Sequence, residues 1–294
     1  MAIQRVGVIG AGTMGNGIAH VLARRGFNVV LCDVEQRFLD RGLATVAKNL
    51  DRELARNKIT ADDKAATLQR ITAVLDRAQL ADCDLAIEAA TERFEIKAEI
   101  FRDLDRLMKP DVILASNTSS ISISKIGALT RRADKVIGMH FFNPVPVMKL
   151  VEVVRTVTTS PESFDRAYAF AARLGKEPIA AKDNSGFVVN LLLVPYLLDA
   201  IRGLEHGVAS APDIDKAMQL GCGYPMGPFV LLDFVGLDTT YKIAEIMFAE
   251  YREPRYAPPP LLKRMVLAGY YGKKSGRGFY DYGTTPPTPC NLGL

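Results

Sequence analysis

Two pairs of features in this chain could do chemistry by their residue types and spacing. The first is a histidine followed by a glutamate. His140, one of three histidines, lies in "MHFFNPVPVMKLVEV" (residues 139–153), and Glu152 closes in twelve residues later. A free imidazole titrates near ~6.5, so it can take and return a proton at neutral pH. A carboxylate on one ring nitrogen would fix the tautomer and stabilise the charged ring. On this stretch alone, a structural histidine beside an unrelated glutamate stays open. The second is the run Gly10-Ala11-Gly12-Thr13-Met14-Gly15, with Asp33 eighteen residues beyond its last glycine. That is G-x-G-x-x-G with an acidic residue at the spacing that suits a dinucleotide. Gly10 permits a tight turn, Gly12 lets backbone approach a pyrophosphate, and Gly15 lets a helix pack close to a strand. Free N–H groups at the helix start would face the phosphates. Asp33 can bind ribose hydroxyls and repel a 2′-phosphate, which favours NAD over NADP, although Arg37 nearby works against that preference.

These residues need elements to position them. "RVGVI" (5–9) reads as a strand ending at the glycine turn, and a helix runs from the turn to Arg25, with Gly26 as its stop. "NVVLCD" (28–33) is a second strand, followed by a long charged helix to about Lys58. Thr60 with Asp63 predicts a capping box. Further strands are expected at 71–75, 83–90, 112–116, 135–141, 149–155 and 177–183, and Ser160-Pro161 starts a helix that stops at Gly175. Alternating strands and helices imply a doubly wound, Rossmann-type α/β domain over residues 1–185. His140 then ends a strand, at the edge where such sheets bind ligands. Past "DNSG" (183–186) the periodicity is helical, so residues 186–282 are expected to form an all-helical domain. The Pro/Thr-rich segment 283–294 is expected to be loosely held.

Composition narrows the function. With 294 residues and 48% hydrophobic content the chain can bury a sizeable core. A net charge of +4, without a long Lys/Arg block, gives no reason to expect a nucleic-acid partner. "FVVNLLLVPYLL" (187–198) is interrupted by Asn190 and Pro195 and is short of the roughly 20 residues a membrane span needs. A strand begins within five residues of the start, leaving no room for a signal peptide. Cys32, Cys83, Cys222 and Cys290 form no C-x-x-C pair and no zinc spacing, so no metal is expected and a reducing, cytoplasmic setting fits. His20 and His206 read as packing or surface residues. "ASNTSSISI" (115–123) could bind a polar substrate or cap a helix. Asn190, polar within an apolar helix, is either a helix–helix hydrogen bond or a substrate contact. Lys48, Arg52 and Arg56 share one helix face, which would suit phosphates or simply solvent.

Taken together, "GAGTMGNGIA", "EAATE", "SNTSS", "HFFNPVPVMKLVEV", "DNSGFVVN", "GYPMGPF", "GLDTT" and "GKKSGRGFY" resemble the L-3-hydroxyacyl-CoA dehydrogenase family over about residues 3–282. In size the chain is similar to the bacterial 3-hydroxybutyryl-CoA dehydrogenases. The resemblance implies NAD-dependent, reversible oxidation of an L-3-hydroxyacyl-CoA, short-chain by that likeness in size, to the 3-oxoacyl-CoA. It implies His140 as general base, Glu152 as its partner, Ser119 on the substrate oxygen and Asn190 positioning the substrate. The implied cofactor contacts are Gly10, Gly12, Thr13, Met14, Gly15, Asp33, Glu92, Lys97, Asn117, Asn143 and Lys274. CoA phosphates would meet the helix carrying Lys48, Arg52 and Arg56, and Ser119 would also touch the acyl-CoA. A homodimer through the helical domain is implied as well. Two other readings remain at this stage. One is a dehydrogenase of a small hydroxy or sugar acid. The other is a non-catalytic NAD-binding protein.

Overall fold

The computed structural model describes residues 3–293. The chain divides into two compact units, one running to Phe187 and the other starting at Val188.

The first unit alternates strand and helix. It begins β1 (Arg5–Ile9), α1 (Thr13–Arg24), β2 (Asn28–Cys32), α2 (Gln36–Ala55), α3 (Ala61–Gln69) and β3 (Ile71–Val74). It continues β4 (Leu85–Glu88), α4 (Phe94–Leu107), β5 (Ile113–Ser116), α5 (Ile123–Gly127) and β6 (Val136–Phe141). It closes with β7 (Leu150–Arg155), α6 (Pro161–Arg173) and β8 (Glu177–Lys182). The eight strands form one sheet in the order β3-β2-β1-β4-β5-β6-β7-β8. All neighbours are parallel except β6 and β7, which run antiparallel. The central strands are buried along almost their whole length, as a sheet covered by helices on both faces requires. Strand order reverses between β1 and β4, and this switch point opens a crevice at the strands' carboxyl ends.

Local signals fall where the sequence predicts them. Thr60 and Asp63 form the reciprocal capping box of α3. Ser160 accepts the Ser163 N–H ahead of Pro161, the first residue of α6. Gly26 and Gly175 follow α1 and α6 with positive φ, which costs glycine least.

The second unit packs α7 (Val189–Glu205), α8 (Ala211–Cys222), α9 (Pro228–Val235), α10 (Leu237–Tyr251) and α11 (Pro260–Leu267) around their own core. Val194, Leu197, Leu198 and Ile201 on α7 supply one side of it. The segment beyond 282, expected to be loose, departs from that expectation. β9 (Tyr280–Asp281) pairs antiparallel with β10 (Thr288–Pro289), and Leu292 packs against the core. Two strands this short have no periodicity to read, so the sequence does not reveal them. Two buried carboxylates secure the strand at Tyr280. Asp233 accepts the Phe279 and Tyr280 N–H groups at 2.9 Å and the Tyr282 hydroxyl at 3.1 Å, and Asp215 accepts the Tyr280 hydroxyl at 2.7 Å. Burial pushes the Asp233 carboxyl up to about 6. Among the described residues, no helix is long and apolar enough to cross a membrane, and no cluster of three potential metal ligands occurs.

Candidate active site

The antiparallel pair β6–β7 explains how one histidine meets one glutamate. In its register His140 stands directly opposite Glu152, so both side chains leave the same face of the sheet. His140 Nδ1 lies 2.6 Å from Glu152 Oε2, with the glutamate fully buried and the histidine 5% exposed. An ionised carboxylate can only accept, which puts a proton on Nδ1 and leaves the Nε2 lone pair facing outward. Ser119 Oγ lies 3.1 Å from that Nε2. The Phe142 and Phe187 rings, with centroids 4.6 Å and 5.6 Å from the imidazole, wall it from water. A proton-accepting nitrogen thus stands beside a hydroxyl, backed by a carboxylate, at the carboxyl edge of the sheet.

Ser119 sits on the turn after β5, and Glu92 grips that turn. Glu92 Oε1 accepts the Ser119 N–H at 3.0 Å, the Ser120 N–H at 3.2 Å, the Ser120 hydroxyl at 3.1 Å and the Thr118 hydroxyl. Burial raises the Glu92 carboxyl, but the Lys97 ammonium and these bonds outweigh it and hold the group below the usual carboxylate range. Lys97 is fully enclosed and lies 2.8 Å from both Glu88 oxygens. Asn117 is also buried, its Oδ1 accepting the Phe141 N–H at 2.9 Å and so tying the end of β5 to the end of β6.

The glycine turn has the form a dinucleotide requires. Gly10 has φ +99°, and a Cβ there would fall 2.6 Å from the Ala89 carbonyl oxygen. A Cβ on Gly15 would fall 1.7 Å from the Gly10 oxygen, so only glycine lets α1 start here. Gly12 faces open space, and α1 has no side-chain cap, which leaves the N–H groups around Thr13 and Met14 available. Asp33 Oδ2 accepts the Ala11 N–H at 2.6 Å, bracing the turn from the end of β2. A cleft of about 970 Å³ runs along it, bounded by Asp33, Phe38, Arg41, Thr45, Asn49, Arg77 and the segment Asn143–Pro146. The residues present therefore fit an NAD-type cofactor.

The other expected residues lie as follows. Lys48 and Arg52 are exposed on α2, and Arg56 caps its end. Asn190 is half-buried in the first turn of α7. Lys274, in the second unit, is 2.8 Å from Asp238 Oδ2. His20 is buried in α1 with Nε2 3.5 Å from Glu53. Burial pushes its pKa down, with Arg24 and Lys176 adding to the effect and Glu53 opposing it. His206 is exposed at the end of α7. Burial raises the Cys32 and Cys83 thiols to about 11, so neither is a ready nucleophile.

Comparison with known proteins turns on both units. Residues 5–184 match the 3-hydroxyacyl-CoA dehydrogenase NAD binding domain, and residues 186–282 match the C-terminal domain of the same family. The chain belongs to the 3-hydroxyacyl-CoA dehydrogenase family. It is 51% identical to a 3-hydroxybutyryl-CoA dehydrogenase of Mycobacterium tuberculosis, over 96% of this chain and 99% of that protein. The crystal structure of M. tuberculosis FadB2 superposes with a TM-score of 0.94 at 51% identity, covering 96% of this chain and all of that one. That of (S)-3-hydroxybutyryl-CoA dehydrogenase PaaH1 from Ralstonia eutropha gives 0.93 at 47% identity, with coverage of 96% and 100%.

Sequence reasoning missed several residues of this dehydrogenase. Arg41, Thr45 and Asn49 turn one face of α2 to the cleft, beside the face carrying Lys48 and Arg52. The 3.6-residue period shows that such a face exists but not which side meets the glycine turn. Lys176, buried, donates to the Val145 and Met148 carbonyls and fixes the turn between β6 and β7. Glu88 was readable in principle, as a charge inside the apolar run "CDLAIEAA". Lys97, expected to touch the cofactor, is instead enclosed between Glu88 and Glu92.

Proposed function

We propose that this dehydrogenase catalyses reversible oxidation of an L-3-hydroxyacyl-CoA, with 3-hydroxybutyryl-CoA as a substrate, to the 3-oxoacyl-CoA. The arrangement Ser119–His140–Glu152 carries the proposal. NAD, when bound, supplies the two-electron acceptor for the C3 hydrogen. His140 Nε2 takes the proton of the C3 hydroxyl in oxidation and returns it in reduction. Glu152 holds the proton on Nδ1 and offsets the positive charge that the ring gains. Ser119 donates a hydrogen bond to the same substrate oxygen, replacing its bond to Nε2. Residues 1–185 would hold the cofactor, with Gly10, Gly12, Thr13, Met14 and Gly15 on the pyrophosphate. Asp33 would take the ribose and favour NAD over NADP, and Glu92 and Asn143 would face the nicotinamide end. Asn117 and Lys97 would act from behind, as supports. Residues 186–282 would contribute Asn190 and Lys274 and form a homodimer contact, supported by the exposed Leu192, Leu220 and Phe234. Lys48, Arg52 and Arg56, joined by Arg41, would meet the CoA phosphates. Four unpaired thiols support a reducing, cytoplasmic setting.

The test is loss of NADH absorbance with acetoacetyl-CoA, run beside free acetoacetate and with NADPH substituted. Fast turnover is expected only with acetoacetyl-CoA and NADH. Comparable activity on the free acid would overturn the acyl-CoA assignment, and equal use of NADPH would overturn the role of Asp33.

A further inference from the structure

A line of charges, Glu88 and Lys97 buried and Glu92 half-buried, stands behind Ser119, and its first member has no part in the proton transfer. Glu88 ends β4 and is fully buried. Both of its oxygens lie 2.8 Å from the Lys97 ammonium on α4. Its Oε1 also accepts the Ala90 N–H at 2.8 Å, and its Oε2 the Ser116 hydroxyl at 2.7 Å. The same ammonium lies 3.4 Å from Glu92 Oε2. Two carboxylates therefore share one cation; Glu92 holds the Ser119 N–H directly, while the Glu88 side chain touches the same turn through the Ser116 hydroxyl, whose oxygen accepts the Thr118 N–H at 3.2 Å.

An ammonium enclosed this far from water is stable only beside its counter-charge. Glu88 provides two short contacts from a central strand, whereas Glu92 provides one longer contact from a loop. Glu92 in turn is the common acceptor for Thr118, Ser119 and Ser120, and Ser119 is within hydrogen-bond distance of His140. We infer that Glu88 is a positioning residue: through Lys97 it anchors Glu92, and through Glu92 it aims the Ser119 hydroxyl at His140. The inference deepens the proposed function and rests on it.

The test is a set of variants read by kcat, by KM for NADH and by pH. Lys97→Met leaves Glu88 and Glu92 facing each other without a cation, so a proton binds the pair instead. The groups facing Glu92 are Glu88 on β4, Lys97 on α4 and the hydroxyl and N–H groups of residues 118–120, with His140 beyond Ser119. A protonated Glu92 is a poor acceptor for that turn. The kcat of Lys97→Met should fall about tenfold or more, and its ratio to the parent should fall further as pH drops. Adding Glu88→Gln removes the repulsion and should raise kcat back toward the parent by about threefold or more. A Lys97 that served only as a cofactor contact would raise KM for NADH, leave the kcat ratio flat with pH and show no rescue by Glu88→Gln. That result overturns the inference. Glu88→Gln alone, which keeps the side-chain volume, should lower kcat by a larger factor than it changes KM for NADH, and it decides the matter if Lys97→Met fails to fold: a kcat equal to the parent's overturns the inference. A carbon-13 NMR titration of the Glu92 carboxyl reads the charge link without turnover. It should move up in Lys97→Met, and an unmoved titration overturns the link. A parent enzyme inactive on acyl-CoA would sink the proposed function instead, while leaving that titration to decide the link.

Discussion

Replacing Glu152 by Gln removes one charge and almost no volume. The carboxylate faces His140 at 2.6 Å between Oε2 and Nδ1, and both groups are buried. Two unit charges with centres about 4 Å apart interact by about 4 kcal/mol at an effective dielectric of about 20. The neutral amide can rotate to accept the same Nδ1 proton and retain a hydrogen bond of about 1 kcal/mol. The difference of about 3 kcal/mol matters only while the ring holds its second proton, which is the state formed as the substrate hydroxyl gives up its proton. At about 1.4 kcal/mol per tenfold, kcat for 3-hydroxybutyryl-CoA oxidation should fall roughly a hundredfold. NADH affinity, followed by nicotinamide fluorescence, should not change, because the lost charge lies behind the imidazole. A thermal melt separates a catalytic loss from a folding loss. A folded variant with kcat within about threefold of the parent would refute the electrostatic role.

Gly12→Ala should fold as the parent does, because Gly12 has an ordinary φ of −62° and a Cβ there meets nothing within 4 Å. The added methyl enters the space where a pyrophosphate would lie, so NADH binding should weaken about tenfold or more, and unchanged binding in a titration would contradict the glycine assignment. Asp233 makes a pH prediction for the helical unit. Its folded pKa is raised to about 6 from 3.8, so its stabilising contribution is complete below about pH 4 and lost as pH rises through 6. The stability gap between parent and Asp233→Asn should therefore shrink by up to about 3 kcal/mol between those limits, and a gap that stays flat across urea melts at several pH values would contradict it.

Much of the site was legible because it is written in local patterns. The glycine turn and Asp33 have a fixed spacing, and strand ends are marked by the return of small and polar residues at "SNTSS" and "HFFNP". The His140–Glu152 pair needed only a short antiparallel connection, and the observed register supplies it. What the sequence hid depends on three-dimensional closure. Lys97 is nine residues from Glu88, across a loop and onto a helix, and no periodicity links the two. The cleft face of α2 is set by how closely Gly42 packs on Ala11, where a Cβ would fall 2.8 Å from the Ala11 oxygen. Asp215 and Asp233 meet Tyr280 and Tyr282 across more than forty residues and so secure the strand against which Thr288–Pro289 pairs.

The central claim is that His140 moves the proton. The most direct measurement is kcat for acetoacetyl-CoA reduction by His140→Gln, with NADH affinity measured on the same preparation. The account predicts a loss of several powers of ten in kcat with NADH affinity unchanged. Turnover close to that of the parent, in a folded variant that binds NADH, would contradict it.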